Sequence, residues 1–249
     1  MTPRSDAQNE DIVLDESALA DPVWSAMVGA QRRLAVVGPT GLAGRFDPAV
    51  SPFAGIADAR ETGAWEELAG LVGEAPFLLV ADEAAVPPGW SVDAVTEVSQ
   101  MVLVDPGRAA GHRERVRNDV LLLGAGDVGD IVRLVAAAEP GPFAERSGEM
   151  GTYLGIREDQ RLVAMAGQRL RLPGWREIST VCTAAEFRGR GYAAALVAEQ
   201  VRIISDSGAR SFLHVLPDNP AVALYRRLGF EPRRTVRVLA LRAPAHDGR

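Results

Sequence analysis

The sequence predicts an α+β fold, with a mixed, mostly antiparallel sheet flanked by helices over residues 118–249 and a smaller α/β domain before it. Two observations carry this. In the second half, short β-branched or apolar runs bracket every segment with helical periodicity. Between the halves, residues 106–117 are rich in glycine and arginine and interrupt the pattern, so the domain boundary is expected there.

Taken in order, residues 1–19 are polar and acidic and are expected to form a flexible leader. Residues 20–117 form the N-terminal accessory domain. Within it, residues 64–72 have a helical pattern, 77–80 read as a buried strand, Val86-Pro87-Pro88-Gly89 as a turn and 102–104 as a short strand. Trp24, Phe46, Phe53, Trp65 and Trp90 are its expected core. In the second half, 120–123 is a strand and Asp127 stands at an N-cap position before a helix stopped by Pro140-Gly141-Pro142. Residues 154–157 and 162–167 are strands around the turn Glu158-Asp159-Gln160, and 177–183 is a further strand. A helix over 191–206 stops at Gly208, then come a strand (212–216), a helix (220–228) ended by Gly229 and a last strand (235–241).

Composition excludes several classes. The 249-residue chain has a net charge of −6, so it lacks the positive field of a non-specific nucleic-acid binder. One cysteine, Cys182, rules out an intrachain disulfide and a cysteine-based zinc site. All 27 basic residues are arginine, which removes Schiff-base and Walker A chemistry, both of which need lysine. No apolar run reaches spanning length and residues 1–15 are unlike a signal peptide, so a cytoplasmic protein with no membrane, nucleic-acid or metal partner is expected. A homodimer is left open.

Chemistry concentrates at Arg188-Gly189-Arg190-Gly191-Tyr192-Ala193-Ala194, where a strand gives way through a glycine-rich loop to a helix. Glycines let backbone N–H groups approach a ligand, and the helix N-terminus favours an anion, so a pyrophosphate fits. A plain surface turn and a dinucleotide-binding loop are competing readings. The second segment, Asn219-Pro220 through Tyr225 to Leu228-Gly229-Phe230, separates them. Together, Arg188-x-x-Gly191-x-Ala193 and Asn219-x5-Tyr225-x2-Leu228-Gly229-Phe230 resemble the GNAT N-acetyltransferase superfamily over residues 119–242, and residues 177–183 look like its central strand.

The resemblance implies acetyl-CoA as co-substrate, with direct transfer to a small-molecule or peptide amine. It implies Tyr225 as the general acid and a CoA contact for Asn219, which is equally a helix N-cap. Val181 and Thr183 would offer mainly backbone groups to the pantetheine arm, and Cys182, facing the other way, is expected to be a packed thiol. Glu177 is the candidate base if burial raises its pKa; the other reading is a strand-edge charge. Phe143, Met165 and Glu177 are placed on the acceptor side, and His214 is expected to be packed. The first half is then either a worn GNAT-like half or an accessory domain. A non-catalytic CoA-binding or protein-interaction module is the competing class.

Residues 34–44, with Gly38, Gly41 and Gly44, also resemble a short-chain dehydrogenase fingerprint. Pro48 and Pro52 would fall inside the helix that reading needs. A hairpin with a glycine-rich turn is expected, which demotes an NAD(P)-dependent oxidoreductase to the least favoured alternative.

Overall fold

The computed structural model describes residues 16–81, 85–112 and 119–245. The first half contains α1 (Pro22–Val28), β1 (Ala35–Val37), β2 (Ala43–Phe46), β3 (Phe53–Ile56), α2 (Thr62–Val72), β4 (Phe77–Val80), β5 (Ser91–Leu103) and α3 (Pro106–Ala110). The second half contains β6 (Val120–Leu123), α4 (Val128–Ala138), β7 (Tyr153–Glu158), β8 (Arg161–Leu172) and β9 (Trp175–Thr183). It continues with α5 (Tyr192–Asp206), β10 (Arg210–Val215), α6 (Ala221–Arg227) and β11 (Phe230–Arg242).

All these strands join one sheet in the order β1-β2-β3-β4-β11-β5-β10-β9-β8-β7-β6. Among the described residues, only the β3–β4 and β9–β10 pairs are parallel. The sheet does not respect the division of the chain. β5, from the first half, runs antiparallel between β10 and β11 of the second. Of the expected 102–104 strand, Val102 and Leu103 are thus the end of a long strand and Val104 lies beyond it; the exposed Asp93, Ala94, Thr96 and Glu97 conceal the first part of that strand from a hydropathy reading. The expected 117/118 boundary separates stretches of sequence that share one sheet.

The leader also departs from expectation where it is described. Glu16–Leu19 forms a 3-10 turn, and Leu19 is buried with Phe46, Phe53, Trp175 and Phe212. Residues 1–15 of that expected leader lie outside the described residues. Burying the leucine, worth about 1.5–3 kcal/mol, offsets part of the cost of ordering the turn, about 1–2 kcal/mol per residue. Among the expected aromatic core, Phe46, Phe53 and Trp65 are buried, while Trp24 and Trp90 are partly buried.

The glycine-rich segment 38–42 is the turn of the β1–β2 hairpin. Its N–H groups do gather on an anion, but the anion is the protein's own. The Glu67 carboxylate of α2 accepts from Thr40 N at 2.7 Å, Leu42 N at 2.8 Å and Ala43 N at 2.7 Å. Asp127 differs in detail from its expected role. Instead of capping α4, its side chain accepts from Gly124 N and from Arg157.

Two apolar clusters support opposite sides of the later site. Ile178, Leu213, Val215, Tyr225 and Phe230 pack with Val197 and Val201 of α5. Tyr153, Met165 and Cys182 pack with Ile131 and Leu134 of α4.

Candidate acyl-transfer site

The site begins where two central strands separate. β9 and β10 pair only at Arg210–Trp175, Ser211–Arg176 and Phe212–Glu177. Beyond that point β9 stays with β8 as far as Thr183, while β10 stays with β5 as far as Val215. A bulge bends β9 as it departs. Between Ser179 and Cys182 it carries one residue more than β8, and Thr180 has φ of 53°. A threonine in that region carries about 1–3 kcal/mol of strain. A hydrogen bond between the Thr180 and Tyr153 hydroxyls helps hold it. The result is a fork whose β9 limb has no described strand on its open side from Ile178 to Thr183.

At the end of that limb lies the glycine-rich loop. Gly189 and Gly191 have φ of 79° and 86°, and a Cβ built on either would meet nothing within 4 Å. Their freedom therefore serves the turn and leaves open space in front of α5. No side chain caps the start of this 15-residue helix, so the positive end of its dipole faces that space. Arg188 ties the loop back through Nε to the Thr183 carbonyl at 3.3 Å. Arg190 lies 4.7 Å over the Phe187 ring. The Tyr192 hydroxyl bonds Glu158, so at this loop Tyr192 presents only backbone. Ala193 is partly exposed and Ala194 buried in the first turn.

Tyr225, on α6, is buried in the α5 cluster, with its ring 6.1 Å from Phe230. Val181, on the open limb of β9, packs against the same cluster, which places the phenol beside the fork. Burial, and secondarily nearby Cys182, push the phenol up to about 12. It is therefore a neutral donor at ordinary pH. Gly229 fixes how α6 ends: at its φ of 93°, a Cβ would lie 2.1 Å from the Asp105 carbonyl oxygen. Asn219 Oδ1 accepts from Ala221 N at 2.9 Å beside the start of α6, where Pro220 holds the N-cap position.

Three sequence expectations are corrected. Glu177 is fully buried, but it is no base with a raised pKa. Burial would push its carboxyl up; the Arg169 charge and hydrogen bonds from Arg169 and His214 outweigh this and hold it at about 2. Arg169 grips it at 2.8 and 2.6 Å. Met165 is completely buried beneath α4 and offers no surface to an acceptor. His214 is not simply packed, since its Nδ1 lies 2.8 Å from Glu177 Oε1. Cys182 is the packed thiol expected, free and pushed by burial to about 12. Phe143 is partly buried, 6.0 Å from Tyr153 in an edge-to-face arrangement. Sequence reading missed Arg169, Thr180 and Gln100. For Arg169 and Gln100 the available signal was a charged or amide side chain adjoining the apolar stretch of a strand; for Thr180, a β-branched residue within its strand, there was none.

Comparisons with known proteins agree with this fold. The FR47-like protein family matches residues 153–238, the span from Tyr153 through the fork and α6 into β11. A GNAT-family protein of known structure from Novosphingobium aromaticivorans DSM 12444 is 36% identical, with a TM-score of 0.77, over 90% of this chain and 98% of that one. The chain belongs to the GNAT family. This relative spans both halves, so the GNAT protein as a whole includes the strands that precede the fork. Two more distant structures share the fold. A GCN5-related N-acetyltransferase from Kribbella flavida is 21% identical, with a TM-score of 0.56 and coverage of 90% and 95%. A GCN5-related N-acetyltransferase-like protein from Streptococcus suis 89/1591 is 15% identical, with a TM-score of 0.59 and coverage of 89% and 92%. No curated protein matches the chain. Among the described residues of this GNAT chain, no cluster of metal-ligating side chains occurs and no helix is long and apolar enough to cross a membrane.

Proposed function

We propose that the chain is an acetyl-CoA-dependent N-acetyltransferase that passes the acetyl group directly to an amine. The observation that carries this reading is the fork between β9 and β10, opening onto an uncapped helix N-terminus at one end and a buried phenol beside it. The open space before Gly189 and Gly191 suits a pyrophosphate, with Arg188 and Arg190 adding charge at the mouth. The edge of β9 that faces the fork at Val181 and Thr183 offers backbone groups to an amide-bearing arm, in the manner of a neighbouring strand, with the Thr183 carbonyl shared with Arg188.

Transfer has three needs. The acceptor amine gives up a proton to water, its nitrogen bonds to the thioester carbonyl carbon as the C–S bond breaks, and the departing thiolate takes a proton. Tyr225 is assigned the last. Its high pKa is less of a barrier than it looks, because a thiolate forming in the same apolar pocket is also poorly solvated and correspondingly basic. Phe143 is retained on the acceptor side, and a primary amine, small molecule or peptide, is the proposed acceptor.

Calorimetry with acetyl-CoA tests the donor, with binding in the micromolar to sub-millimolar range expected. Silence at millimolar acetyl-CoA would remove the reading. Thiol release over a panel of amines then tests turnover.

A further inference from the structure

Just past the fork, polar side chains make a continuous line across five neighbouring strands: Arg169 on β8, Glu177 on β9, His214 on β10, Gln100 on β5 and Arg233 on β11. The chemistry of its members fixes the direction of every bond in it. Arg233 Nη1 donates to Gln100 Oε1 at 3.0 Å, and arginine can only donate. The Gln100 amide nitrogen therefore faces the other way, toward the Leu19 carbonyl at 3.1 Å and His214 Nε2 at 3.2 Å. That nitrogen has hydrogens and accepts nothing, so His214 Nε2 is the acceptor. The ring proton then sits on Nδ1 and points at Glu177 Oε1, 2.8 Å away. Glu177 is itself immobilised by the two Arg169 bonds.

Position gives this bond its meaning. Backbone pairing between β9 and β10 ends at Glu177 and Phe212. His214 lies two residues further along β10, and its bond reaches back across the fork at the crotch. We propose that His214 is a positioning residue whose Nδ1–H bond to Glu177 sets how far β9 and β10 separate, and so the width of the slot for the acyl arm. Gln100, contributed by the first half of the chain, keeps the imidazole in the tautomer that makes the bond. This rests on the acetyl-CoA reading above.

The tautomer makes the test selective. An asparagine amide can place its N–H near the position of Nδ1, whereas a glutamine amide reaches toward Nε2 and leaves Glu177 without its donor. Acetyl-CoA Kd is measured by calorimetry for wild type, His214→Asn and His214→Gln, with KM and kcat for each. His214→Gln is expected to weaken acetyl-CoA binding about 10-fold or more, the scale of one hydrogen bond to a charged group. His214→Asn should stay within about 3-fold of wild type, and kcat at saturating donor should change less than donor KM in both. Equal affinity of His214→Gln and wild type overturns the proposal, as does His214→Asn binding as weakly as His214→Gln. Nitrogen-15 NMR of the wild-type ring needs no substitution; a proton on Nε2 instead of Nδ1 also overturns it. Failure of the wild type itself to bind acetyl-CoA would instead remove the acyl-CoA reading, and the slot with it.

Discussion

Replacing Tyr225 by phenylalanine removes one oxygen and one proton while leaving the ring against Phe230, 6.1 Å away. The perturbation is therefore chemical more than structural, and stability should change by no more than about 1 kcal/mol. Loss of a positioned general acid generally costs 10²–10⁴ in rate. The lower end applies here, because an ordinary thiol has a pKa near ~8.5 and its thiolate can leave unassisted at some rate. A fall in kcat of about 100-fold is expected, roughly 2.7 kcal/mol of barrier. Donor KM should move less than about 3-fold, since the phenol acts on the leaving group as it departs. The assay is thiol release at saturating acetyl-CoA with the best amine found. The pH dependence adds a second check. With the phenol pushed up to about 12, it keeps its proton across the neutral and mildly alkaline range. The wild-type rate should thus show no alkaline loss belonging to this group below about pH 11. An unchanged kcat in Tyr225→Phe refutes the assignment. An alkaline step near pH 10 that disappears in the variant would refute the burial argument.

Three further outcomes follow from named contacts. Glu177, held at about 2 against an ordinary value of 4.5, favours the fold by about 3 kcal/mol above its unfolded pKa, and this is lost as pH falls from about 4.5 toward 2. Denaturant melts of Glu177→Gln should be flatter through that window, and lower at neutral pH by about 3–5 kcal/mol because Arg169 is left buried without its partner; parallel curves would contradict this. Gly229→Ala should lower stability by more than about 2 kcal/mol, since positive φ and the Asp105 carbonyl both oppose a Cβ. Gly191→Ala meets no atom, so its cost in stability should be only about 1–2 kcal/mol, whereas a methyl group at the cradle should raise acetyl-CoA Kd about 10-fold by calorimetry.

What could be read from sequence was local. The Arg188-to-Ala194 loop, the helix that follows it and the Asn219-to-Phe230 segment are each contiguous, and their glycines and caps announce turns regardless of context. The 34–44 hairpin was legible for the same reason, although its partner Glu67 was not. The misjudged residues were those whose state depends on distant strands. Glu177 looks like a carboxylate with a raised pKa until Arg169 is seen to face it across the β8–β9 hairpin. His214 looks like a packed ring until Gln100 arrives from the other half of the chain. Met165 sits in an apolar run that shows burial but not which helix covers it. The fork itself has no sequence signature, because it arises from where three pairings stop.

The placement of β5 has a bearing on synthesis. Gln100 and Arg233 are neighbours in the finished sheet yet lie 133 positions apart. A ribosome delivers β5 long before the strands that will flank it, so a hydrophobic strand ending, with Met101, Val102 and Leu103, must wait unpaired while the rest of the chain emerges. The nascent first half is thus an aggregation risk until β10 and β11 close around it, and its closing step belongs to the slow class set by long-range pairing. Expression at low temperature or with chaperones should accordingly help more than any change to the site.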